Sequence, residues 1–178
     1  TMPNLRSVTR RDRQLGTGHA LLSAEPALGG ATGTVLLLSG DVPLLSVDTL
    51  GRLLERHRSS DAAATVITAV VDNPRGYGRI VRSGDRVAQI VEERDATTAE
   101  KEIREINSGI YAFALDGLFD AVRAIAATNA QREYYLPDLV AIYRQRGRGV
   151  ETMMVPNPDE IRGINSRAEL AEVSRIVR

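Results

Sequence analysis

The chain has 178 residues, and its 23 Lys+Arg against 23 Asp+Glu leave a formal net charge of zero, which argues against a dedicated binder of nucleic-acid backbones. An apolar share of 43% is that of a globular domain and excludes disorder by composition. The absence of cysteine removes disulfides, thiolate metal sites and cysteine nucleophiles together. Lys101 is the one lysine, so chemistry that needs an ammonium group must use it or find it outside this chain. No run approaches the roughly 18 apolar residues that cross a bilayer. Thr1 to Arg13 holds Arg6, Arg10, Arg11 and Arg13 without the apolar stretch of a secretory signal. A cytoplasmic protein with no membrane or nucleic-acid partner is expected.

Gln14-Leu-Gly-Thr-Gly-His19 is a glycine-punctuated turn opening a helix near Gly18. Thr34 to Leu38 is a continuous apolar run, which suits a strand buried on both faces, and Ser39-Gly40-Asp41 ends it. Ser46 caps the next helix, with Leu50, Leu53 and Leu54 along one face and Glu55-Arg56-His57-Arg58 as a solvated face. Ala62 to Asp72, rich in Val, Ile and Thr, is a second buried strand, and a right-handed βαβ unit is expected. After the turn Asn73-Pro-Arg-Gly-Tyr-Gly78, two short strands flank Ser83-Gly-Asp85 as a hairpin. Asp95 to Glu102 is polar, with room for one helical turn, and Ile106 to Leu115 is a strand interrupted by Ser108-Gly109. Helices near Gly117–Ala127 and Leu136–Gln145 follow, then a strand over Gly149–Val155 and a final helix capped by Ser166 with Glu169. This alternation predicts one α/β domain with a mixed, mostly parallel sheet and an inserted hairpin.

Ligands of open α/β sheets gather at the carboxyl ends of strands. Asp41 stands there as an oxygen ligand for a hard cation such as Mg²⁺, with a plain turn or N-cap aspartate ahead of Pro43 as the alternative. Gly76-Tyr77-Gly78 lets backbone approach a ligand or merely enters the hairpin. Glu92 and Glu93 end a strand and Asn107 sits in another; a buried Asn or Glu must be paired and suits sugar hydroxyls, although most strand-end glutamates are solvated. Neither histidine has a serine motif or metal-ligand spacing near it, so no nucleophile triad is expected.

Seven segments occur in order: Gln14-Leu-Gly-Thr-Gly-His-Ala20, Gly40-Asp-Val-Pro-Leu44, Asn73-Pro-Arg-Gly-Tyr-Gly-Arg-Ile80, Ile90-Val-Glu-Glu-Arg-Asp-Ala96, Glu105-Ile-Asn-Ser-Gly-Ile110, Asn129-Ala-Gln-Arg-Glu-Tyr-Tyr135 and Gly163-Ile-Asn-Ser-Arg167. The ordered set resembles the uridylyltransferase domain of the bifunctional bacterial enzymes that make UDP-N-acetylglucosamine for the cell wall. The resemblance implies a Rossmann-like, three-layer α/β/α nucleotidyltransferase in which N-acetylglucosamine 1-phosphate attacks the α-phosphorus of UTP and releases pyrophosphate. By matching motif, it implies that Asp41 and Asn165 hold the catalytic Mg²⁺. Gly16 and Thr17 would contact uracil, Gly40 would lie against the nucleotide, and Gly78, Glu92 and Asn107 would hold the sugar. The family's Gly-x-Gly-Thr-Arg-Met phosphate loop and its Pro-Lys do not occur in this sequence, Arg11 replaces a base-reading glutamine, and Ser39 stands where an aromatic is common. Residues 1–178 are thus expected to be a single, N-terminally incomplete domain with weak or no turnover alone. The acetyltransferase β-helix, through which members of the resembled family form trimers, is not expected within these 178 residues. Two other functions remain open. One is another sugar-1-phosphate nucleotidyltransferase, using glucose 1-phosphate with dTTP or UTP. The other is a non-catalytic sugar-nucleotide binding module.

Overall fold

The computed structural model describes residues 15–28, 30–164 and 171, so Asn165, Arg11 and the expected final helix lie outside the described residues. Among the described residues six strands form one sheet: β1 (Thr34–Leu37), β2 (Ala64–Val70), β3 (Gly78–Ser83), β4 (Arg86–Val91), β5 (Glu105–Ala114) and β6 (Val150–Met154). The helices are α1 (Thr17–Leu22), α2 (Glu25–Leu28), α3 (Val47–Ser60), α4 (Thr98–Lys101), α5 (Leu118–Arg123) and α6 (Leu139–Gln145).

Alternating side chains of the strands feed two cores, as a pleated sheet covered on both faces requires. Val35, Val66, Tyr111 and Phe113 pack with Leu118, Val122 and Leu139 on one side. Leu36, Ile67, Ile110 and Ala112 pack with Leu53 and Ile161 on the other. The expected three-layer α/β/α arrangement is present.

The sense of the strands corrects the expectation of a mostly parallel sheet. Among the described strands only β2 and β6 pair in parallel, whereas β1–β5, β2–β5, β3–β4 and β3–β5 are antiparallel. The expected βαβ crossover from β1 through α3 to β2 exists, but β5 is inserted between its strands, antiparallel to both. Apolar runs record burial and not the direction of a neighbour, so the sequence pattern does not distinguish these cases. Nor is Thr34–Leu38 buried on both faces. β1 is half-buried along its length and Leu38 is 49% exposed, because β5 is its only strand partner among the described residues.

Helix α3 shows both a confirmed and a corrected expectation. Ser46 caps it, its hydroxyl oxygen accepting from the Thr49 N–H at 3.1 Å. The fully buried stripe is Thr49, Leu53 and His57, spaced by one helical turn, while Leu50 and Leu54 are only half-buried. His57 therefore does not belong to a solvated face. Its Nδ1 lies 3.0 Å from the Thr65 hydroxyl on β2, and burial, followed by the Arg58 charge, holds its pKa below the ordinary 6.5.

The folded protein thus prefers a neutral imidazole, and the unfolded chain takes up the proton first. This stability is fully present above about pH 6.5 and is lost as pH falls towards the folded-state value. Urea midpoints measured between about pH 7 and 5 should fall with acidification, and His57→Gln should flatten that slope. An unchanged slope would remove His57 as its source.

Candidate functional site: a cleft where two strands part along β5

Strand β5 has β2 along one edge, and its other edge is shared. β3 pairs with Ile106 and Asn107, and β1 pairs with Tyr111 to Ala114. Both run antiparallel to β5, so the end of β1 and the start of β3 face each other across Ser108–Ile110. Strands that part in this way leave a crevice at the sheet edge, the usual ligand position in open α/β sheets. A cleft of about 270 Å³ opens there, lined by residues that include Ser39, Asp41, Gly78, Glu92, Asn107 and Gly163.

The expected interruption at Ser108-Gly109 is a bulge. Between the pairs Val66–Tyr111 and Thr68–Asn107, β5 advances further than β2. Gly109 takes φ 76°, and a Cβ there would come within 3.0 Å of the Ser39 hydroxyl oxygen. Bulges re-aim side chains beside functional sites, and this one presents Asn107. The Asn107 Oδ1 accepts from the Tyr111 hydroxyl and from the Gly109 N–H, each at 3.0 Å. Asn107 lines the cleft, and with its oxygen so engaged its amide nitrogen is the group that can donate to a ligand. Tyr111 is fully buried, and burial pushes its phenol far up, so it remains a donor.

Gly78 is the cross-strand partner of Asn107, and a Cβ on it would lie 3.1 Å from the Glu92 Oε1. Three of the expected site residues are thereby contiguous. Burial, together with the charges of Asp95 and Asp138, raises the Glu92 pKa, while the Arg79 guanidinium works in the opposite direction. The loop Asn129–Tyr135 is drawn towards Asp95, whose Oδ1 accepts from the Ala130 N–H at 2.9 Å.

Asp41 is exposed at the rim, and its carboxylate has no protein partner among the described residues. Its backbone oxygen accepts from the Ile164 N–H at 2.9 Å, which brings the 163–164 segment beside it. Glu160 holds that segment from the other end, accepting from Thr49 at 2.5 Å and Ser46 at 3.1 Å at the start of α3. Gly40 precedes Asp41 with open space on its side-chain face, where a Cβ would meet nothing within 4 Å.

Gly16 and Thr17 are not among the residues lining this cleft; they join α1 to the loop before α6. Tyr134 accepts from the Gly18 N–H and donates to the Leu15 oxygen, both at 2.8 Å, and the Thr17 hydroxyl oxygen accepts from the Leu136 N–H at 3.0 Å. Among the described residues no group of three or more His, Cys, Asp or Glu could hold a metal ion. A metal at Asp41 would therefore draw most of its ligands from water and substrate, as Mg²⁺ does.

Sequence reasoning singled out Asp41, Gly78, Glu92 and Asn107 but missed Arg79 and Glu160, which touch the elements around the cleft. An arginine after a glycine and a glutamate in a 3₁₀ turn carry no local signal of what they reach.

A family model described as nucleotidyl transferase matches residues 4–156. The chain belongs to the nucleotidyl transferase family. The chain is 52% identical over 175 residues to the bifunctional protein GlmU of Pelotomaculum thermopropionicum, covering 98% of the chain and 38% of that relative. It is 51% identical over 172 residues to the bifunctional protein GlmU of Syntrophotalea carbinolica, covering 97% and 37%. The chain thus spans less than two-fifths of the length of these relatives. In fold it is similar to a Bacillus anthracis protein named for glucose-1-phosphate thymidylyltransferase and crystallised with sucrose. The TM-score is 0.70 at 18% identity, over 94% of this chain and 63% of that one. No helix among the described residues is long and apolar enough to cross a membrane.

Proposed function

We propose that this nucleotidyl transferase forms the site that transfers UMP from UTP to N-acetylglucosamine 1-phosphate, giving UDP-N-acetylglucosamine and pyrophosphate. The observation that carries the reading is the meeting of Asp41 with Gly78, Glu92 and Asn107 in one cleft at the parting of β1 and β3. Identity near 50% to bifunctional proteins GlmU over almost the whole chain supports this choice within the family.

The chain's own residues suit the parts of that reaction. The Asn107 amide donates to a sugar oxygen, and the Glu92 carboxylate accepts from sugar hydroxyls beside it. Gly78, lacking a Cβ, leaves room for the Glu92 carboxylate beside it, and its backbone would contact the sugar. Gly40 keeps the rim beside Asp41 clear for the nucleotide. Asp41 and Asn165 would hold a Mg²⁺, which when bound neutralises phosphate charge. Two oxygen ligands with one negative charge between them would leave such a cation strongly electrophilic. Bringing a phosphate to a triphosphate is mainly a matter of positioning and charge neutralisation, so no protein nucleophile is needed.

Product analysis of the intact protein with N-acetylglucosamine 1-phosphate or glucose 1-phosphate, each with UTP or dTTP, tests the reading. UDP-N-acetylglucosamine should be the preferred product by at least about tenfold in kcat/KM, the scale set by pairing or leaving unpaired one buried polar group. A clear preference for dTTP with glucose 1-phosphate would overturn the substrate assignment. Sugar-nucleotide binding without turnover by the intact protein would favour a binding module.

A further inference from the structure

The loop Asn73–Gly78 has two sides. Gly76, Tyr77 and Gly78 line the cleft with Glu92, while Arg75, Arg79 and Glu93 border a separate depression behind it. Gly78 and Arg79 are successive residues of β3 and face opposite sides, and just beyond the end of β4 Glu92 lines the cleft while Glu93 lines the depression.

Behind the loop, Arg79 is 1% exposed, an unusual position for a guanidinium. Its Nη2 donates to the Glu93 Oε2 at 2.6 Å, and its Nη1 donates to the backbone oxygen of Tyr77. The same Glu93 oxygen accepts from the Gly76 N–H at 3.4 Å. One ion pair thus grips the loop at the Gly76 amide and at the Tyr77 carbonyl, on both sides of the Gly76–Tyr77 peptide. Burial makes this grip directional, because a buried charge that loses its partner has no water to replace it.

We propose that the Arg79–Glu93 pair is a positioning strut that sets the Gly76–Gly78 backbone, and with it Glu92, at the distance the sugar 1-phosphate requires. Neither residue touches the substrate. Glu93 lies behind the loop, and Arg79, which does not line the cleft, acts on it through the Tyr77 carbonyl and through its charge near Glu92. The inference rests on the reading of the cleft as the sugar site.

The test has one arm that needs no substrate and one that does. Amide hydrogen exchange at Gly76 to Gly78 is compared in the wild-type protein, Glu93→Gln and Arg79→Lys, with the buried amides of β2 as the internal reference. Exchange in the loop should quicken by about tenfold in Glu93→Gln, with β2 unchanged. The KM for the sugar 1-phosphate should rise by about tenfold, while kcat and the KM for UTP stay within about twofold. Arg79→Lys keeps the charge but only one of the two grips, and should fall between wild type and Glu93→Gln.

Should wild-type assays show a different sugar 1-phosphate to be the substrate, that identifies the sugar wrongly assigned above, and the KM arm is run with that substrate. Unchanged loop exchange in Glu93→Gln overturns the strut whatever the sugar. Quickened exchange with an unchanged sugar KM overturns its role in positioning substrate. Equal deprotection of β2 marks a general loss of stability and overturns it as well. If Arg79→Lys fails to fold, the Glu93→Gln results still decide the matter.

Discussion

Replacing Asp41 by Asn is expected to lower Mg²⁺-dependent transfer by about 10³-fold or more, the scale of losing one dedicated element of charge stabilisation at a reacting phosphate. The substitution keeps the shape of the side chain and removes the one negative charge that the proposed ligand pair supplies. Stability should move by no more than about 0.5 kcal/mol, because Asp41 is exposed and its carboxylate has no protein partner among the described residues. Activity against Mg²⁺ concentration, measured beside a urea titration of the same preparation, separates the two effects. A variant with near-normal activity would end the metal assignment. A variant with lost activity and a large fall in stability would make Asp41 a turn residue, the alternative that its position before Pro43 leaves open.

Gly16→Ala should be costly in the fold itself. Gly16 has φ 102° and ψ 173°, in a region essentially reserved for glycine. A Cβ there would stand 2.7 Å from the Tyr134 oxygen and 2.8 Å from its nitrogen. Those are backbone atoms already committed to Gly18 and Leu15, so they have little freedom to withdraw. Strain and overpacking together should cost about 2–5 kcal/mol by urea unfolding. Gly40→Ala is the matched control, because its Cβ would meet nothing within 4 Å, and it should cost less than about 1 kcal/mol. Equal stability of Gly16→Ala and the parent would show that the junction between α1 and Tyr134 does not hold in solution. Gly16 thus has a structural duty whatever contact it makes with a base, and loss of activity in this variant would not by itself identify a uracil contact.

Much of this protein is legible from local chemistry. Ser46 signals the start of α3, Ser83-Gly-Asp85 turns the β3–β4 hairpin, and the single helical turn expected in Asp95–Glu102 is α4, which the structure starts with a capping box between Thr97 and Glu100. Each depends on residues a few positions apart, so sequence proximity is enough. Asp41, Gly78, Glu92 and Asn107 each allow a plainer reading alone and were put forward together by the resemblance of their motifs; the structure lines one cleft with them. The buried stripe of α3 was misread because Thr49 and His57 are polar by type. They lie inside only because Glu160 and Thr65 come to meet them from distant parts of the chain.

The sequence by itself determined the class of fold, the order of its elements and the residue types that the proposed chemistry requires. Tertiary structure decided the rest. It inserted β5 between β1 and β2, reversed the expected sense of the sheet, and let β1 and β3 part where the cleft opens. It also set Arg79 against Glu93 behind the loop that forms the cleft wall. Periodicity and caps are encoded by near neighbours, whereas strand direction and ion pairing across the fold depend on partners far along the chain. Their burial leaves the same apolar or charged letters in the sequence whichever partner is chosen.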